Sequence, residues 1–163
     1  MNHIPVIGFS AFSGTGKTTL IEQLVVSLKA KGLRVAVIKH DAHEFDIDKE
    51  GKDSWRFARA GADMTLISSA TKTAVIEYRP RTFRENLSMI HNVDLILVEG
   101  YKQEDIPRIG LYRAATGKGL PAPAEEYAAL ATDDPSVAAP GVPCFGLDDI
   151  AGLTEFICSL AGV

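Results

Sequence analysis

A chain of 163 residues suits one domain that buries roughly 70% of its unfolded surface. With 46% hydrophobic and 23% charged residues it has an ordinary globular balance, and its net charge of −4 offers no basic surface to nucleic acid or anionic lipid. Short basic clusters such as Arg79-Pro80-Arg81 with Arg84 do not overturn that exclusion. The two cysteines, Cys144 and Cys158, have neither metal-ligand spacing nor a secretory context, which fits a reducing cytoplasm. The apolar stretch near the N-terminus is broken by Gly14 to Lys17, so it reads as neither signal peptide nor membrane span, and no internal repeat is present.

The first predicted element is a short apolar strand, Ile4 to Phe9. Directly after it stands Ala11-Phe-Ser-Gly-Thr-Gly-Lys-Thr18, which follows the pattern G-x-x-x-x-G-K-[ST] except that Ala11 replaces the first glycine. Gly14 and Gly16 allow the main chain to turn its amides inward, making a concave nest for anionic oxygens. Lys17 brings a positive charge toward β- and γ-phosphates, and the Thr18 hydroxyl is a hard oxygen ligand suited to Mg²⁺. A helix then begins, with Leu20, Ile21, Leu24, Val25 and Leu28 on one face and Glu22, Gln23, Ser27, Lys29 and Lys31 on the other, and Gly32 stops it. The free amides and positive dipole end of that helix point at the phosphates. The competing reading, a Gly/Ser-rich turn before a lysine, does not account for the strand–loop–helix context. Ser13, Gly14, Thr15, Gly16, Lys17, Thr18 and Thr19 are therefore the candidate phosphate contacts.

A second strand, Arg34 to Lys39, ends at His40. The polar segment Asp41 to Asp53 follows it, in a position where loops of such a fold face the phosphates. It offers Asp41, His43, Asp46 and Asp48 as metal, water or substrate contacts, with Lys39 and Lys52 as anion contacts. Asp53 or Ser54 is a candidate cap for a short helix through Trp55, Phe57 and Ala58 to Gly61. His40 and His43 have no matching transition-metal ligand pair elsewhere. Two β-rich runs, Met64 to Ser68 and Thr73 to Tyr78, are close enough to form a hairpin, and a helix from about Thr82 to His91 leads to a buried-type strand over Val93 to Val98. Further strands are read at Pro107 to Tyr112, Tyr127 to Ala131 and around Pro143 to Gly146. Arg113 to Glu126, rich in Gly, Ala and Pro, reads as a mobile surface loop. The last helix turns Ile150, Leu153, Ile157 and Leu160 inward, with Asp148 or Asp149 at its cap. Alternating helices and apolar strands predict an α/β layered fold on a largely parallel sheet, made mixed by the hairpin.

Asp94-Leu-Ile-Leu-Val-Glu99-Gly100 has the character of a partner motif to the phosphate loop. A carboxylate at the end of a buried strand holds Mg²⁺, usually through water, and Gly100 lets an amide approach the γ-phosphate. A solvated glutamate at a strand end is the alternative when Glu99 is taken alone. Thr18 and Glu99 are thus the candidate metal residues.

Five stretches together resemble the molybdopterin-guanine dinucleotide biosynthesis protein B (MobB) family: Ser13-Gly-Thr-Gly-Lys-Thr-Thr-Leu20, Ile38-Lys-His40, Asp46-Ile-Asp-Lys-Glu-Gly-Lys-Asp-Ser54, Arg59-Ala-Gly-Ala62 and Asp94-Leu-Ile-Leu-Val-Glu-Gly-Tyr101. The motifs occur in family order over nearly the whole chain. The phosphate loop is generic, whereas the lysine–histidine pair followed by Gly-Lys-Asp-Ser is specific. One departure is Asp41-Ala42 after that pair, where the family is richer in histidine. The resemblance implies a single P-loop NTPase-type domain in three layers, binding GTP and Mg²⁺. It also implies a homodimer with at most slow GTPase activity, which assists the molybdopterin guanylyltransferase and other molybdenum cofactor assembly proteins.

The residues alone say little about the base. No asparagine is followed by lysine, so the Asn-Lys-x-Asp guanine signature is absent. Asp133 and Asp134 are candidates to accept from guanine N1 and N2, and equally to cap a turn before Pro135. No arginine lies inside these motifs, so Arg79, Arg81, Arg84, Arg108 or Arg113 would neutralise transition-state charge only if folding or a partner delivered it. Three classes remain open: a GTP-binding accessory protein, a small-molecule kinase using Arg113 to Glu126 as a lid, and an adaptor that uses nucleotide only for folding or dimerisation.

Overall fold

The computed structural model describes residues 4–41 and 45–163. It has two compact units, one running up to His40 and resuming at Ile90, the other spanning Asp41–Met89.

The larger unit begins with β1 (Val6–Ser10), every residue of which is buried. Then come α1 (Lys17–Ala30), β2 (Val35–Lys39), β5 (Leu95–Glu99), β6 (Arg108–Tyr112), β7 (Ala129–Thr132), β8 (Cys144–Phe145) and α4 (Ile150–Ala161). The six strands form one sheet in the order β2-β5-β1-β6-β7-β8, and every neighbouring pair is parallel. Parallel strands need crossovers that cover the sheet, so β5 is apolar at nearly every position rather than alternating. Ile7, Phe9, Leu97, Ile109 and Leu111 pack with Leu20, Leu24 and Leu28 of α1 and Leu153 and Ile157 of α4 in a single core. Ile96, Val98, Leu130 and Tyr127, outside that cluster, are also buried. Across the two helices Thr154 Oγ1 donates to Ser27 Oγ at 2.9 Å. At the outer edge, Arg34 clamps Asp94 through its backbone amide and through its guanidinium, both at 2.7 Å, fixing the entry of β2 beside that of β5.

The order of this sheet creates a switch point. From β1 the chain runs outward to β2, returns through β5 next to β1, and then crosses to β6 on the other side. Loops leaving the carboxyl ends of strands on either side of such a reversal diverge and leave a crevice.

The smaller unit holds α2 (Asp53–Arg59), β3 (Met64–Ser68), β4 (Thr73–Glu77) and α3 (Phe83–Ser88). The layered α/β fold with a largely parallel sheet stands, but the six-stranded sheet is not mixed, because the hairpin does not join it. β3 and β4 form an antiparallel ribbon of their own, with Leu66 opposite Val75. A four-residue connection permits only local antiparallel pairing, and the central sheet is complete without it. Nor does Asp53 or Ser54 cap α2. The cap is Lys52, with no side-chain hydrogen bond, and Ser54 Oγ donates instead to Asp48 Oδ1 at 2.8 Å. α3 is shorter than its sequence pattern suggests, and starts with a complete capping box between Thr82 and Glu85. Among the described residues no helix is long and apolar enough to cross a membrane.

Candidate functional site

The site is built where β1 ends and α1 begins. Gly14 and Gly16 take φ of +86° and +100°, conformations in which a side chain is strained, so the two glycines are what let the loop close on itself. Thr15 is buried and its Oγ1 donates to the Phe12 carbonyl at 2.9 Å, stapling the loop from within. Gly16 is the N-cap of α1. No side chain caps that end, and no acidic residue lies in its first turn. The amides that open a helix have no intrahelical acceptor, so this terminus keeps its hydrogen-bonding capacity and positive dipole for an anion. Thr18 and Thr19, in that first turn, are exposed, as is Ser13 in the loop.

Lys17 extends from the first position of α1 to Glu99 at the end of β5, Nζ to Oε1 being 3.6 Å, with both side chains largely shielded from solvent. Strand register makes this pairing possible, since Glu99 lies beside Phe9 on one side and Lys39 on the other. Lys17, Lys39 and Glu99 therefore converge on the carboxyl edge of the sheet. Gly100, at φ +95°, follows at once. A Cβ there would lie 2.7 Å from the His40 carbonyl, so only glycine lets the two chains pass this closely. Tyr101 also has positive φ, stacks on the His40 ring at 4.3 Å, and its carbonyl accepts from Arg108 Nη2 at 2.6 Å.

Asp133 falls on the other flank of the loop. Its Oδ1 accepts the Ala114 amide at 2.8 Å. Asp134 caps the turn at Pro135 by accepting from the Ser136 hydroxyl and amide, which hold its carboxyl below the usual carboxylate range. A cavity of about 500 Å³ opens here, bounded by Gly16, Thr19 and Gln23 on the loop side and by Arg113, Asp133 and Asp148 opposite. This volume suits a small-molecule ligand.

Sequence reasoning missed what residues 113–126 do. Arg113 Nε donates to the Thr15 carbonyl at 3.0 Å and Lys118 Nζ to the Ser13 carbonyl at 2.9 Å. Tyr127 accepts the Ala122 amide and donates to Ser10 at the end of β1. This segment is tied to the loop at two points and, through Tyr127, to the end of β1. Its basic residues were the only advance signal, because contacts 98 and 105 residues apart are set by topology. In the Asp41–Met89 unit, Asp48 has a local job, accepting from the Lys49 amide and Ser54. His43 lies outside the described residues. Among the described residues no cluster of three metal-ligating side chains is present.

A parallel sheet with a switch point, preceded by an uncapped glycine loop at its first strand–helix junction, defines the P-loop NTPase-like class of fold. Within that class, the model of the MobB family, "Molybdopterin guanine dinucleotide synthesis protein B", matches residues 6–133. This chain belongs to the MobB family. It is 41% identical over 143 residues to the molybdopterin-guanine dinucleotide biosynthesis adapter protein of Haemophilus influenzae, covering 82% of this chain and 78% of that one. It is 37% identical to the protein of the same name from Escherichia coli, covering 94% and 91%. Among solved structures, Bacillus subtilis MobB superposes with a TM-score of 0.74 at 23% identity, covering 96% of this chain and 98% of that one, a likeness of fold.

Proposed function

We propose that this chain is a GTP-binding adapter in the making of the molybdopterin guanine dinucleotide cofactor, working with the enzyme that joins GMP to molybdopterin. The observation that carries the proposal is the convergence of Lys17, Glu99 and the uncapped start of α1 at one sheet edge. The inward-turned loop amides would take the phosphate oxygens, Lys17 would offset their charge, and Lys39 stands near enough in register to add to the field. Lys17 beside Glu99 leaves a carboxylate and the exposed Thr18 hydroxyl on the same loop edge, a hard-oxygen set that fits Mg²⁺. Thr18 and Glu99 would hold the ion, which when bound supplies neutralisation of phosphate charge.

Hydrolysis is expected to be slow. Arg113 reaches the loop through the Thr15 carbonyl and lines the cavity with Thr19 and Asp133, whereas the Lys17–Glu99 pair lies outside that lining. An arginine finger acts on the transferring phosphoryl group, whereas Arg113 is engaged by the Thr15 carbonyl. A second reading, a small-molecule kinase with residues 113–126 as lid, draws on the same Arg113 and Lys118 contacts, and phosphate transfer to a hydroxylated acceptor would reveal it. We place the protein in the cytoplasm, where two free cysteines stay reduced.

A homodimer is proposed on the β3–β4 ribbon, which exposes Met64, Leu66, Ile67 and Val75. The adapter role is tested by affinity capture of the purified GMP-transferring enzyme on this chain, with and without Mg²⁺ and GTP. Retention of the enzyme is expected. No retention in either condition would remove the adapter role.

A further inference from the structure

The cavity beside the phosphate loop has two carboxylates, and their surroundings differ. Asp133, after β7, already accepts the Ala114 amide at 2.8 Å through Oδ1, the same turn whose Arg113 holds the Thr15 carbonyl. Asp148, after β8, is exposed, and no hydrogen bond or ion pair engages its carboxylate among the described residues. Its Oδ1 lies 3.0 Å from where a Cβ on Gly146 would stand. Gly146 does not have positive φ, so no special backbone requires glycine here, and an added Cβ would press on the Asp148 carboxylate.

Two further features make this a nucleoside compartment. Gly16 and Thr19 line it, so a nucleotide with its phosphates in the loop extends its sugar and base in this direction. Leu20 and Leu147 give it apolar surface for the faces of a planar ring. A carboxylate only accepts hydrogen bonds. Guanine offers N1–H and N2–H side by side, whereas adenine presents the N1 lone pair on that edge and is repelled. A two-oxygen grip needs both carboxylate oxygens free to turn to the base; among the described residues Asp148 has both uncommitted, whereas Asp133 has one held by the Ala114 amide.

Resting on the GTP reading above, we infer that Asp148 is the guanine-reading residue of this protein, and that Asp133 is a positioning residue which holds the Arg113–Ala114 turn against the phosphate loop. Gly146 belongs to the same device.

The test is calorimetric titration of the full chain with Mg²⁺ and GTP, ATP or xanthosine triphosphate, for the unmodified protein, Asp148→Asn and Asp133→Asn. The amide of Asp148→Asn donates to the 2-oxo group of xanthine. GTP affinity should therefore fall at least about tenfold while xanthosine triphosphate affinity rises. Asp133→Asn should weaken all three nucleotides alike, without exchanging their order. Gly146→Ala, which crowds the Asp148 carboxylate, should narrow the GTP-over-ATP preference and leave the fold intact by circular dichroism. An unchanged GTP-to-ATP ratio in Asp148→Asn, or the xanthine exchange appearing in Asp133→Asn, would overturn the assignment. Equal GTP and ATP binding, abolished in both cases by Lys17→Ala, would also overturn it while leaving the phosphate site standing. Binding of no triphosphate at all would remove both.

Discussion

Lys17 is the residue on which the proposed nucleotide binding turns. Its ammonium lies 3.6 Å from Glu99 in a largely shielded setting, so removing it strips that carboxylate of this counter-charge where the phosphates would sit. Loss of a charge-assisted bond of roughly 1.5–3 kcal/mol predicts that Lys17→Ala weakens triphosphate affinity about 10- to 100-fold or more. Equilibrium dialysis with labelled GTP measures this, and unchanged affinity would refute the placement of the site. A second single-residue effect concerns acid stability. Arg34, through its guanidinium and its backbone amide, lowers the Asp94 carboxyl to about 2, and the Thr82 amide and hydroxyl with Arg79 lower Glu85 to about 2. In the unfolded chain both return to ordinary values near 4. Depressed folded values mean that the stabilisation is whole above about pH 4 and drains away as pH falls toward 2. Asp94→Asn should flatten that acid limb in urea unfolding followed from pH 5 to pH 2. An unaltered slope would show that the clamp does not couple to folding.

The helices differ in how they begin: α1 and the short α2 lack a side-chain cap, and only α1 starts directly from the glycine loop. α3 has its capping box, α4 has Asp149 accepting the Gly152 amide at 2.9 Å, and α1 has no side-chain cap at all. Thr82→Ala should cost about 1 kcal/mol of stability by losing the α3 cap, measured by chemical denaturation, with no change in nucleotide affinity. The elements also show where sequence reading works. Residues 11–18 were legible as a candidate site because loop, lysine and threonine are contiguous, and an apolar strand run before them and a 3.6-residue helical period after them fix their context. Glu99 was legible because a buried strand must emerge at an edge. Arg113, Lys118 and Asp148 were not, since each reaches the loop or its cavity across a distance that only the strand order closes. The hairpin was legible as a hairpin, but its separation from the sheet was not. β-branched patterning specifies pairing and is silent on which sheet the pair joins.

At the scale of the larger unit, the core supports the crevice beside the loop. α1 and α4 share a face of the six-stranded sheet, with Leu24, Leu28, Leu153 and Ile157 fully buried against Ile7, Phe9 and Leu97. Ile157→Ala should destabilise the protein by about 2–5 kcal/mol, read as a shift in denaturant midpoint, because interiors at this density do not collapse around a lost side chain. The same packing holds the end of β1, the start of α1 and the end of β5 in fixed relation, so the charge arrangement at the loop is set before any ligand arrives. The measurement that bears most directly on this account is isothermal titration of the full chain with GTP in the presence of Mg²⁺, repeated at raised ionic strength. Saturable binding near one nucleotide per chain that weakens with salt is predicted. No detectable heat and no displacement of a fluorescent GTP analogue would contradict it.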